Sequence, residues 1–372
     1  MKIVALILIG IFITVPCYAT ENYLLEQYEA TGIESVFEVE SEVFPKFDSK
    51  KIANDLLSGK GFDTGSLLKN ILDFFMGEFK NNFRVFALLI GVGFLTGFLH
   101  NMQTSFGGEG VSYCGEMVGY MIFSGILCAS FYGLIEPAKE MIENVSVLIA
   151  STIPILITIL TMCGGVVSSS LLSGVLIALV NIITPIVNTF LIPLILSTFS
   201  LAVASNLSDK IKITHSIESL NKFIKWTLLF FMAIFAGVFG VYGLSGSAID
   251  ASAGKAIRFA IGSGIPLVGG VASDSLETVI ATLSATRNLI GTIGMCTIVA
   301  VASVPIIKTA VLMWMFRLCC AVVEPFATPR ITLLLSQTTE CITSVFAILI
   351  SVSLMFVGAL GVLLITGNFI VR

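Results

Sequence analysis

Of the 372 residues, 56% are hydrophobic and 12% charged, and the formal net charge is -4. A soluble domain of this size could not hide so much apolar side chain, so the chain reads as a polytopic membrane protein. No basic run points to nucleic acid. Half of the acidic residues, 12 of 24, lie between Glu21 and Glu78, which sets an N-terminal region apart.

Residues 1–19 carry Lys2, an apolar stretch from Ile3 to Val15 and a small-residue end at Ala19, the pattern of a secretory signal peptide. Residues 20–83 then form an acidic extracytosolic region. Within it Leu67, Leu68, Ile71, Leu72, Phe75 and Phe79 repeat at helical spacing and predict an amphipathic helix on the membrane surface. Residues 84–372 form a multi-span membrane domain. Its first span is predicted over Arg84–His100 and its second over Val111–Ile135. A polar turn is expected at 101–108, and Glu136-Pro137 is expected to stop the second span.

From Asn144 to Ser208 there is no Asp, Glu, Lys, Arg or His. Inside that stretch Pro154, the pair Gly164-Gly165 and the cluster Ser168-Ser169-Ser170 interrupt what would otherwise be a plain lipid-facing helix. The segment from Val145 to Ile183 is either two short helices in a re-entrant hairpin or two thin spans. A third span, about Thr184–Ala204, contains Pro185 and Pro193. Asn206–Lys225 holds Lys210, Lys212, Lys222 and Lys225 beside a stripe of Ile213, Ile217, Leu220 and Ile224, so the positive-inside rule makes it cytosolic.

Trp226–Ser247 is the fourth predicted span, followed by a loop from Ala248 to Thr286. In that loop Pro266, Gly269, Gly270 and Ser273 repeat the first broken pattern in weaker form, and Asp274 and Glu277 have the spacing of a helix N-cap pair. The two broken stretches suggest an internal repeat over about 145–205 and 254–325, with the two interruptions facing one another. Leu289–Ile307 is the fifth span, Thr309–Val323 a further apolar helix, and Cys341–Ile365 the last span. Arg317 is the one charge in Val311–Val323 and is costly there unless paired or snorkelled, so it reads either as half of a buried ion pair with Glu324, or with Glu116 on another helix, or as an arginine that snorkels to the interface.

No nucleophile–base set, phosphate loop or metal-ligand spacing is present, so no catalytic residue, cofactor or metal is expected, and the chain is not read as an enzyme. The cysteines lie mostly in apolar runs, where a thiol acts as a small hydrophobe. Interrupted helices can line a solute pathway, whereas glycine pairs can also serve only close packing. Both readings apply to Gly164-Gly165 and Gly269-Gly270.

Asn101-Met-Gln-Thr-Ser-Phe106, the run from Ile153-Pro154 through Gly164-Gly165 to Ser170, and Ile265-Pro266-Leu-Val-Gly269 followed by Asp274, Glu277, Thr278 and Val279 resemble the stage III sporulation protein AE family of endospore-forming bacteria. The order of signal, acidic region and spans is similar over nearly the whole chain. The resemblance implies an all-helical component of a channel-like complex linking mother cell and forespore, placed in the mother-cell membrane around the forespore. It also implies the other stage III A sporulation proteins as partners and, through the complex, stage II sporulation protein Q, with a role in late forespore gene expression. A homo-oligomer, a membrane scaffold for ring-forming partners and an autonomous secondary transporter stand beside that reading.

Overall fold

A computed structural model describes residues 64–106, 109–207, 213–264 and 269–371. The signal peptide, the acidic region up to residue 63 and Pro266 lie outside the described residues. What is described is all helix: α1 (Thr64–Phe106), α2 (Glu109–Met162), α3 (Val166–Pro185), a π turn (Ile186–Leu191), α4 (Ile192–Leu207), α5 (Thr214–Gly264), α6 (Gly269–Val323) and α7 (Pro329–Val371). Counting α3 through α4 as one rod, six helices are long and apolar enough to cross a membrane.

The rods are longer than the spans predicted from sequence. α2 has 54 residues and α6 has 55, about 80 Å each at the helical rise, against the roughly 30 Å of a bilayer core. Pro137 and Pro154 both lie inside α2, so Glu136-Pro137 does not close a span there. The loop expected from Ala248 to Thr286 is helical wherever it is described, and α6 passes Pro305 and Lys308 without a stop. Residues 101–106 likewise continue α1, and the amphipathic stretch from Leu67 to Phe79 belongs to that same helix. Proline removes a single amide donor, and in a bundle of this kind neighbouring helices and hydroxyl side chains absorb the resulting bend. Thr158, Ser197 and Thr309 donate to the carbonyls of Pro154, Pro193 and Pro305 at 2.8, 2.9 and 2.7 Å, a side-chain pairing that bends helices. Between Pro185 and Pro193 the register slips into the π turn, where the Ile192 N–H donates to the Val187 carbonyl five residues back.

α2 and the α3–α4 rod form one antiparallel hairpin. Ser146 and Thr184 share a hydrogen bond of 2.7 Å, Asn188 donates to Glu143 at 3.4 Å, and the rings of Phe131 and Phe199 stack at 4.3 Å. Further along, the Tyr120 hydroxyl donates to the Val203 carbonyl at 2.6 Å. Each pair is progressively farther from Gly164-Gly165 on both arms, which identifies that pair as the hairpin turn.

α6 and α7 sit at the centre, while α1 and α5 are peripheral. Along α7, Ile331, Leu334, Leu335, Cys341, Ile342, Val345, Leu349, Val352 and Phe356 are all within 1% of full burial. That three-to-four spacing is the stripe of a helix packed on several neighbours. The stripe Ile217 and Ile224 is buried too, as the face of α5 turned to the core. In lipid the association rests on close packing rather than on water exclusion. A Cβ on Gly97 would strike the Phe326 carbonyl in the α6–α7 turn, and one on Gly119 would strike Thr96. These glycines let α1 approach α2 and the turn.

Candidate functional site at the helix break

α2 ends at Met162 and α3 starts at Val166. Gly164 adopts φ +93, a left-handed conformation open to glycine at little cost. Its N–H donates to the Thr161 carbonyl, and the Gly165 N–H donates to the Leu160 carbonyl, both at 3.0 Å. This is the glycine-terminated helix end in which the free carbonyls of the last turn are closed by the residues just past it. Nothing lies within 4 Å of a Cβ built on Gly164, so its role is conformational and not close packing.

The start of α3 leaves amides without a partner inside the helix. No side chain of Gly165 can cap them. The carboxylate of Asp250, on α5, takes this place: the Val167 N–H donates to Oδ1 at 3.0 Å and the Ser168 N–H to Oδ2 at 2.7 Å. Asp250 is 2% exposed, and two amide hydrogen bonds plus the positive end of the helix dipole are what stabilise a carboxylate at such burial. The capping residue is thus supplied from 83 positions downstream, and it fastens α5 to the hairpin.

On the other side Cys163 meets α6. The Ser284 hydroxyl lies 3.5 Å from the Cys163 sulfur, and the sulfur approaches the Ile280 carbonyl at 4.0 Å. Three residues along α6, Arg287 is fully buried, its guanidinium reaching Asn288 Oδ1 at 3.2 Å and the Leu364 carbonyl of α7 at 3.5 Å. The turn is therefore flanked by α5 and α6, with one acid held by main-chain amides and one buried base shared between a side chain of α6 and a carbonyl of α7.

The residues singled out in the sequence fall unevenly around this turn. Pro154 is exposed two turns before the end of α2; Gly165, Ser168 and Ser169 are buried; Gly164 and Ser170 are exposed. Ser169 and Ser170 donate their hydroxyls to the Val166 carbonyl at 2.9 and 2.8 Å. Gly269 and Gly270 open α6 and Ser273 follows in its second turn, their side-chain surroundings lying outside the described residues. The two breaks do not meet at Cys163. Ile280 and Ser284 are its neighbours, and Gly269 lies eleven helical residues before Ile280, about 16 Å along the axis. Because α6 already starts at Gly269, Asp274 sits inside the helix and is not its N-cap.

Arg317 and Glu324 are both exposed, which overturns the buried ion pair. Arg317 extends to the Thr343 hydroxyl at 3.5 Å. Glu116 is also not its partner, lying 3.9 Å from Arg330 and 3.6 Å from His100. A long guanidinium stem on a peripheral helix face reaches a polar neighbour more cheaply than it desolvates. Asp250 was missed because the stretch from Ala248 to Thr286 reads as a loop, where charges are unremarkable, and Arg287 because it falls between that loop and the fifth predicted span, where a flanking cation is ordinary. The available signal was the interval from Trp226 to Ile249, which has no charged residue and ends on a lone acid.

Among the described residues, six membrane-length helical rods, broken at a glycine turn and capped across helices, define a polytopic membrane protein without a recognisable catalytic constellation. A family model described as stage III sporulation protein AE matches residues 47–367, and the chain belongs to that family. It is 26% identical over 326 residues to stage III sporulation protein AE of Bacillus subtilis (strain 168), a match that covers 88% of this chain and 82% of that protein. No solved structure matches it. The chain is therefore a membrane protein of sporulation, one of the stage III set.

Proposed function

We infer that this chain is a membrane component of the complex that links mother cell and forespore, acting there as a helical scaffold for ring-forming partners and not as an enzyme or an autonomous transporter. The other stage III A proteins and, through the complex, stage II sporulation protein Q are its partners. It lies in the mother-cell membrane around the forespore, with its mature N-terminus extracytosolic and the lysines between Asn206 and Lys225 in the cytosol. Its contribution is to conduction or secretion by the assembly, on which late forespore gene expression depends.

One observation carries the choice of scaffold. In transporters with broken helices, the half-helix N-terminus is left open to an anionic solute. Here that end is filled by the protein's own Asp250 carboxylate, at 2.7 and 3.0 Å, and Ser168 and Ser169 beside it are buried. The exposed Gly164 and Ser170 at the hairpin tip support a second reading, in which the tip lines a conduit completed by partners.

Reconstitution of the purified chain into liposomes loaded with a panel of small solutes tests this. No solute flux is expected from the chain alone, and flux is expected once the stage III A partners are added. Saturable flux by the chain alone would discard the scaffold reading in favour of a transporter.

A further inference from the structure

Three charged side chains that the sequence spreads from Lys225 to Glu340 come together on the outside of the bundle. They line a cleft of about 300 Å³ between α5, α6 and α7, together with Ser336, Thr339 and Thr343. Lys225 and Glu340 stand 3.8 Å apart with side chains 44% and 51% exposed, so the cleft is open to the surroundings. Arg317 has no carboxylate within ion-pair distance among the described residues, its contact being the 3.5 Å reach to the Thr343 hydroxyl. Two cations face one acid, leaving one positive charge. The Thr339 and Thr343 hydroxyls already donate to carbonyls in α7, at 2.7 and 2.8 Å, so they offer lone pairs to Arg317, while the exposed Ser336 hydroxyl is available as a donor.

Exposed apolar side chains neighbour the two lining cations along their own helices. The chain has two tryptophans, and both are among these: Trp226 follows Lys225, is 62% exposed and stacks on Phe230 at 5.5 Å, and Trp314 precedes Arg317 by one helical turn and is 46% exposed. Leu229 and Leu318 add exposed apolar surface on α5 and α6, at 68% and 47%. Tryptophan on the outside of a membrane bundle concentrates at the level of the lipid headgroups, because its ring is apolar and its N–H is polar. A guanidinium and an ammonium at that level, next to an acyl-chain-compatible surface, match a phosphate group with fatty chains attached.

We propose that this cleft binds the phosphate of an anionic phospholipid, with Arg317 and Lys225 holding the headgroup and the Trp226 and Trp314 faces receiving the acyl chains. Glu340 competes with the phosphate for Lys225, so it limits the affinity. The inference stands on the cleft alone and does not depend on the scaffold reading.

The two tryptophans make the site its own reporter. The full chain is reconstituted in vesicles containing phosphatidylglycerol or phosphatidylcholine with brominated acyl chains, and quenching of tryptophan fluorescence is followed against the mole fraction of each lipid. Wild type is expected to favour the brominated phosphatidylglycerol. Each cation removed, in R317Q and K225Q, should lower that preference about fivefold. E340Q should raise it, a gain that general unfolding cannot mimic. R317K should keep part of the preference, since it preserves the charge and loses the planar fork. Equal quenching by the two lipids in wild type, or an unchanged preference in R317Q or E340Q, would overturn the proposal. Relief of the phosphatidylglycerol quenching by inorganic phosphate at matched ionic strength would assign the cleft to free phosphate and overturn the lipid assignment.

Discussion

The two ends of this bundle treat charge in opposite ways. Around the α1–α2 and α6–α7 turns, charge meets charge: Glu116 lies 3.6 Å from His100 and 3.9 Å from Arg330, with side chains 14%, 42% and 18% exposed. At the α2–α3 turn the charged groups are buried: Asp250 accepts from the amides of Val167 and Ser168, and Arg287 reaches the Asn288 side chain at 3.2 Å and the Leu364 carbonyl at 3.5 Å. The first arrangement is loose, its contacts lying near the outer limit of an ion pair, and its His100 side is open to screening by water and salt. The second ties a side chain to a fixed point on the backbone of another helix, so it determines which helix packs where. A sparse charge in an apolar chain is thus structural when it finds a helix end, and only loosely so when it finds another side chain.

Removing the buried acid should break this contrast most severely. Asp250→Ala leaves one buried and one part-buried amide without an acceptor and should cost about 2–4 kcal/mol, with Asp250→Asn recovering part of it. Thermal unfolding of the purified protein in detergent micelles, followed by loss of helicity, measures both variants; an alanine variant as stable as wild type would mean the cap is incidental. The helix crossing at the other end offers an intermediate case. Gly97→Ala drives a methyl group into the Phe326 carbonyl and should cost about 1–3 kcal/mol by overpacking, seen as a lower unfolding temperature under the same conditions. The smallest effect is expected from Glu116→Gln, which weakens two loose ion pairs and should cost about 1 kcal/mol or less. The part of that difference owed to the exposed His100 should shrink as salt is raised, whereas the Asp250→Ala difference should not.

Much of the architecture was legible in the residues. The apolar bulk of the chain, the helical stripe at Ile217 and Ile224 and the interruption at Gly164-Gly165 all follow from composition and spacing, and the structure places a chain reversal at that glycine pair. Span boundaries were less legible. Pro137 reads as a stop and Pro154 as an interruption, but both lie inside α2, because a proline in a packed bundle bends a helix whose remaining hydrogen bonds survive. The candidate site was half legible. Gly164 announces a turn by its freedom at positive φ, but nothing near it in sequence announces Asp250, whose meaning comes from a helix 83 residues earlier. Arg317 stood out as an unusual charge, yet its neighbour could not be read from its own segment, since Thr343 lies on α7 and the cleft between α5, α6 and α7.

Composition and periodicity by themselves determined that this chain is a membrane protein built of helices, because backbone groups in lipid have to be satisfied within the segment that carries them. The glycine pair determined that one of those helices must end where it does. Only the tertiary structure decided which carboxylate closes the next helix, which glycines serve close approach, and which three scattered charges share a cleft. Those outcomes depend on contacts between residues far apart in sequence, and lipid, unlike water, gives no general push that would let a local pattern of hydrophobicity predict them.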